Sequence, residues 1–178
     1  IDGTLVDTMP LHFVSWMDTA RKHGFPFDKN VFYRLAGMPA LDIIRQIARE
    51  NGITLDAESV AKEKEAGFMQ LIPQIKPIDR VVHIVKQCHN RLPMALGTGG
   101  TREVAKKTIE AAGLSGYFDV LVASDDVVKH KPEPDTFLLC AKRMGVDPQS
   151  CQVFEDADKG IEAAIRAGMI PCDIRKSA

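Results

Sequence analysis

Four short stretches carry the residues best suited to chemistry. The first seven residues, Ile1-Asp2-Gly3-Thr4-Leu5-Val6-Asp7, place a carboxylate, a glycine turn, a hydroxyl and an apolar pair where a buried strand would end. Leu96-Gly97-Thr98-Gly99-Gly100 follows an apolar run and opens a helical pattern. Thr98 and the amides of Gly99 and Gly100 suit phosphoryl oxygens there, with the positive dipole end of a helix near Thr101 behind them. In Lys131-Pro132-Glu133-Pro134-Asp135 the proline biases Lys131 to extended backbone, aiming the ammonium at an anion rather than burying it in a helix. Val153-Phe154-Glu155-Asp156 ends a third apolar run with two acids. Adjacent carboxylates at a buried edge repel unless a cation lies between them, and oxygen donors combined with a phosphate suit Mg²⁺.

Each stretch alone has a plainer reading: a β-turn, a connecting glycine loop, a solvated lysine, or an N-cap at Asp156 or Asp158. Asp158 is assigned to capping. Together, at the carboxyl ends of strands in one parallel sheet, the four converge on a single crevice. They match phosphoryl transfer through an aspartyl phosphate, in which one carboxylate attacks phosphorus while a second protonates the leaving oxygen and later deprotonates water.

The elements that must position them follow from periodicity and stop signals. Residues 8–24, 28–35, 40–50 and 56–72 carry helical patterns started by Asp28 and Asp56 and ended by Gly24, Gly37, Gly52 and Pro73. No convincing strand lies between Thr8 and Lys76, so this block reads as an inserted helical domain. From Pro77 onward, helices at 78–88, 101–112, 134–144 and 158–167 alternate with short apolar strands at 92–96, 120–123, 152–154 and 170–174. The fold class is therefore α/β: a Rossmann-like parallel sheet core with helices on both faces and an inserted α-helical cap. Residues 1–7 and 78–178 form the core and 8–77 the cap.

The chain has 178 residues, 45% hydrophobic and 26% charged, with a net charge of −1, as expected for a globular domain with no nucleic-acid or acidic-membrane partner. No apolar run approaches the length of a membrane span. Cys88, Cys140, Cys151 and Cys172 are scattered without zinc-ligand spacing and read as buried thiols of a reducing cytoplasm.

These motifs, in this order along the whole chain, resemble the haloacid dehalogenase-like hydrolases, whose opening motif reads Asp-x-Asp-Gly-Thr followed by an apolar pair. The resemblance implies that Asp2 is the second aspartate, the general acid/base, with its backbone carbonyl facing the metal. The first aspartate, the nucleophile, would stand immediately before Ile1, outside this sequence, so the chain is expected to be clipped there. It further implies catalytic roles for Asp2 and Lys131, phosphate contacts from Thr98, Gly99 and Gly100, and Mg²⁺ held by Asp2, Glu155 and Asp156. Within the family the chain is similar to the β-phosphoglucomutase-like subgroup, where a helical cap separates the first two motifs. His12 and Trp16, four apart on one helical face, and Lys64 match cap positions that face the substrate, although a tryptophan there commonly serves the core and a lysine the solvated face.

The second half, including Tyr117-Phe118-Asp119, Lys131 to Cys140 and Val153 to Asp158, is similar to bacterial phosphatases of that subgroup acting on fructose 1-phosphate and 6-phosphogluconate. A small sugar phosphate substrate, a monomer and a cytoplasmic location are expected. Mutases of the subgroup bind a second phosphate with an arginine soon after the glycine that ends the second cap helix. Here that place reads Gly37-Met38-Pro39-Ala40, so water is the expected acceptor. The competing expectations are a phosphomutase, a metal-free dehalogenase, and a non-catalytic binding module should the natural chain start at Ile1.

Overall fold

Capping residues and glycine stops divide the first half of the chain into helices. In the computed structural model, which describes residues 1–176, α1 spans Met9–His23, α2 Lys29–Leu35, α3 Ala40–Asn51 and α4 Ala57–Leu71. Asp28 accepts the Val31 amide at 2.8 Å and Asp56 the Ser59 amide at 3.1 Å, satisfying donors that the first helical turn leaves open. The inner faces meet in a core of their own that includes Trp16, Phe32, Leu35, Ile44, Ile47 and Val60.

The two ends of this helical segment lie side by side. Val6 bridges Pro77, the Asp7 amide donates to the Lys76 carbonyl at 2.8 Å, and the Ile78 amide donates to the Leu5 carbonyl at 2.9 Å. The chain therefore leaves and returns at one place.

Helices and strands alternate after this crossing: α5 at Asp79–Cys88, β1 at Ala95–Gly97, α6 at Arg102–Ala111, β2 at Val120–Val122, α7 at Asp135–Met144, β3 at Gln152–Glu155, α8 at Asp158–Arg166 and β4 at Ile170–Asp173. β1 pairs with β2 and β3 with β4, both in parallel, with α6 and α8 as the crossovers. This is the expected α/β class, with eight α-helices among the described residues.

Four expectations are corrected. The first concerns the sheet, which is two parallel pairs rather than one continuous array. A cavity of about 480 Å³ is lined by Ala95–Gly97 of β1 and Gln152–Glu155 of β3, with Ile1 also in its wall. Residues 1–6 do not run as a strand there: they fold as a tight turn in which the Ile1 carbonyl accepts the Leu5 amide at 2.8 Å. The second concerns β1, which starts at Ala95 instead of Leu92, because Pro93 has no N–H to donate and Leu92 is 61% exposed. The third concerns the cysteines: all four are free, but only Cys140 and Cys151 are buried, and burial pushes the Cys140 thiol up to about 12. The fourth concerns the start of α8, which carries no side-chain cap. Asp158 instead pairs with Arg175 at 2.7 Å.

Ile44 is fully buried in the helical core. Ile44→Ala is expected to lower stability by about 2–5 kcal/mol through lost burial and a residual cavity, read as a lower urea midpoint at unchanged slope. A midpoint equal to that of the parent would show that this core is not cooperative with the rest.

Candidate active site

The turn at Gly3 brings the first residues against the end of β3. Gly3 has φ 71°, and a Cβ placed there would stand 2.1 Å from Asp156 Oδ2, so only glycine lets the turn approach that carboxylate. Thr4 Oγ1–H donates to Asp156 Oδ1 at 2.7 Å. Glu155, one residue earlier and buried, accepts from Lys131 Nζ at 2.8 Å. Lys131 is thus buried in an ion pair with a carboxylate and lies 4.7 Å over the Phe137 ring, which rules out the plainer reading of a solvated lysine.

Burial works against ionisation of both acids. Lys131 overrides it at Glu155 and holds that carboxyl below its ordinary range. At Asp156, burial and the neighbouring Glu155 charge act together and push the pKa up. Asp156 is therefore the acid that gains from an added cation. Among the described residues no three His, Cys, Asp or Glu side chains gather into a metal cage. The donors present are hard oxygens of one or two carboxylates, the set with which a strongly hydrated divalent ion is held beside a phosphate.

Asp2 faces the helical segment. Its Oδ1 accepts from Thr8 Oγ1–H at 2.7 Å and lies 3.1 Å from His12 Nε2, while Lys64 Nζ lies 2.8 Å from His12 Nδ1. A neutral imidazole that donates at Nε2 and accepts at Nδ1 satisfies both contacts. Burial, then the Lys64 charge, lowers the His12 pKa and favours that neutral form. Burial lowers Lys64 to about 8 against the pull of Asp2 and Glu65. At Asp2 burial alone would raise the pKa, but His12 and Thr8 prevail and hold it well below the usual carboxylate range. The His12 ring stacks on Phe68 at 3.7 Å, and Lys64 Nζ lies 5.2 Å from the Trp16 centroid, which fixes both polar groups on an apolar bed.

The loop after β1 closes the other side. The Thr98 amide bonds the Val122 carbonyl at 2.9 Å, and Thr98 Oγ1 accepts the Gly100 amide at 3.0 Å. That amide is engaged within the loop, contrary to the expectation that it is open to an anion. The first amide of α6, from Arg102, likewise donates to Asp125 at 3.0 Å. Gly99 abuts the helical segment, where a Cβ on it would stand 2.5 Å from the Gly37 carbonyl oxygen.

One cavity of about 110 Å³ gathers the ten expected site residues: Asp2, His12, Trp16, Lys64, Thr98, Gly99, Gly100, Lys131, Glu155 and Asp156 all line it. Three further residues were missed from the sequence. Thr4 was signalled only as the hydroxyl after the Asp-Gly turn and Thr8 only as a residue beside the first helix start. Glu65, which lines the cavity and accepts from Thr101 Oγ1–H at 3.5 Å, had no signal beyond its neighbour Lys64.

The fructose-1-phosphate phosphatase YqaB of Escherichia coli (strain K12) is 44% identical over 176 residues, covering 98% of this chain and 93% of that protein. A phosphorylated carbohydrates phosphatase of Thermotoga maritima is 30% identical over 173 residues, covering 95% of this chain and 79% of that one. The crystal structure of β-phosphoglucomutase from Clostridium difficile superposes with a TM-score of 0.84 at 26% identity, covering 97% of this chain and 80% of that one. The sequence profile of the haloacid dehalogenase-like hydrolases matches residues 1–168, and with a 44% identical relative spanning nearly the whole chain, the protein belongs to that family.

Proposed function

We propose that the protein is a Mg²⁺-dependent phosphatase of small sugar phosphates, of the fructose 1-phosphate or 6-phosphogluconate type, working through an aspartyl-phosphate intermediate. The carboxylate nucleophile is assigned to the position directly ahead of Ile1. The observation that carries this reading is that an acid/base candidate, a threonine loop, a buried lysine and a second acid, drawn from four distant parts of the chain, line one cavity. Residues 1–7 and 78–178 act as the catalytic core and 8–77 as the cap that encloses the leaving group.

Asp156, the Asp2 backbone and the Glu155 carboxylate hold the metal, which when bound supplies charge neutralisation for the phosphoryl oxygens. Thr98 and Gly99 orient those oxygens, and Lys131 keeps Glu155 ionised and adds positive potential at the reacting centre. Asp2 hands a proton to the departing sugar oxygen and then accepts one from water. The bonds from Thr8 and His12 favour its carboxylate, which is the form the water step needs. Protonation of the sugar oxygen requires Asp2 to have taken up a proton from water beforehand, which loosening of those two bonds would favour. His12, Trp16 and Lys64 contact the sugar.

The second reading, a phosphomutase, is motivated by the likeness in fold to β-phosphoglucomutase. Against it, Gly37-Met38-Pro39-Ala40 offers no arginine for a second phosphate.

In the full-length enzyme, a panel of phosphorylated sugars with Mg²⁺ is expected to give free phosphate, and β-glucose 1-phosphate to give no glucose 6-phosphate. Asp2→Asn should lower kcat by about 10²–10⁴-fold, and near-parental turnover would remove Asp2 from the acid/base role. Asp156→Asn should raise the Mg²⁺ concentration for half-maximal rate by about tenfold or more, whereas full activity after chelation would return the metal-free dehalogenase reading. Since kcat/KM reports free-enzyme ionisations, it should fall as pH rises through about 8, where Lys64 loses its proton. An identical alkaline limb in Lys64→Met would assign that limb to another group.

A further inference from the structure

The cavity is small for a sugar phosphate. Its volume is about 110 Å³, below the roughly 300 Å³ at the lower end for small-molecule sites, so such a ligand enters only when a wall moves. One wall is the stretch 36–43, of which Gly37, Met38, Ala40 and Ile43 line the cavity. It belongs to the helical segment, whose two ends meet the rest of the chain at the crossing of Val6 with Pro77. A segment rooted at one place can swing as a body, and contacts away from the root keep it down.

One such contact is ionic. Asp42, in the first turn of α3, places Oδ2 3.7 Å from His130 Nε2, on the loop that leads into Lys131. The separation is longer than a hydrogen bond, so the attraction is that of a carboxylate for a protonated imidazole. His130 is firmly seated: its carbonyl accepts the Glu133 amide at 2.9 Å, and the next residue, Lys131, is anchored on Glu155. Neighbouring charges are engaged elsewhere or turned to solvent. Glu133 pairs with Arg166 at 2.7 Å, Arg45 of α3 lies 4.0 Å from Glu58, and Lys129 is exposed.

We propose that Asp42 and His130 form a releasable latch that holds the 36–43 wall down over the site, which makes both of them positioning residues. Neither lines the cavity, so the pair acts on the closing equilibrium and not on the reacting atoms. With side chains 34% and 23% exposed, it shifts that equilibrium by only about two- to fivefold, weak enough to be undone in every cycle. The latch itself does not depend on the phosphatase reading above, whereas its effect on turnover rests on it.

Trp16, the single tryptophan of the chain, is 3% exposed and lines the cavity, so its fluorescence reports the seating of the helical segment without reference to turnover. In the full-length protein at about pH 6, below the ordinary histidine pKa of about 6.5, Asp42→Asn and His130→Gln should each raise the acrylamide quenching constant of Trp16 about two- to fivefold. The double variant should be no worse than either single, because the pair is lost only once. Exchanging the charges, with Asp42→Lys and His130→Glu together, should restore the parental value. With Mg²⁺ and fructose 1-phosphate, each single variant should raise KM by about two- to fivefold while kcat stays within about twofold, and the exchange should restore KM. Quenching unchanged in both singles, additive losses in the double, or no recovery on exchange overturns the latch. A parent enzyme that releases no phosphate, yet shows the quenching pattern, overturns the phosphatase reading and leaves the latch standing.

Discussion

Lys131 can neutralise only one of the two acids that end β3. Its ammonium is buried against Glu155, and the neighbouring Asp156 is left with a hydroxyl from Thr4 and, among the described residues, no side-chain cation paired with it. A buried pair of this kind contributes little net stability but is costly to break, because either partner alone becomes an unpaired charge in a poorly solvated place. The surroundings are shaped to keep it. Gly160 leaves room for Glu155, with an added Cβ falling 1.9 Å from Oε1, and Gly3 does the same for Asp156. The charge excess left at Asp156 is the feature on which the proposed metal site rests.

The second constraint is topological. Chain continuity requires the helical segment to begin and end at the crossing of Val6 with Pro77, only a few residues from Asp2. Thr8 and His12, which hold the Asp2 carboxylate, belong to the start of that segment, and Lys64, which holds His12, belongs to its fourth helix. The protonation state of Asp2 is thus tied to the seating of the helical segment, through a relay of three side chains on an aromatic base.

Much of this was legible in the sequence. Aspartate caps and glycine stops placed α1 to α4 to within a residue or two, and the short apolar runs marked β2 and β3. Residues such as Thr98, Lys131 and Asp156 were found because each ends or follows an apolar run, a pattern visible along a line of text. What escaped depends on distant pairing. Nothing near Lys64 reveals that a lysine between two glutamates is buried on Trp16 and Phe68, nor that Glu65 shares the cavity. The capping role expected of Asp158 was lost to Arg175, 17 residues away, and the strands pair as two sets, β1 with β2 and β3 with β4. Local chemistry is readable before folding, whereas competition between partners is settled only in three dimensions.

The contact between Gly99 and the Gly37 carbonyl sets how closely the loop after β1 and the helical segment approach one another. Backbone meets backbone there with no side chain as a cushion, so the seam has no give. A single methyl at position 99 acts as a wedge: it would stand against the Gly37 carbonyl and force the helical segment and the threonine loop apart, two surfaces that both line the candidate site.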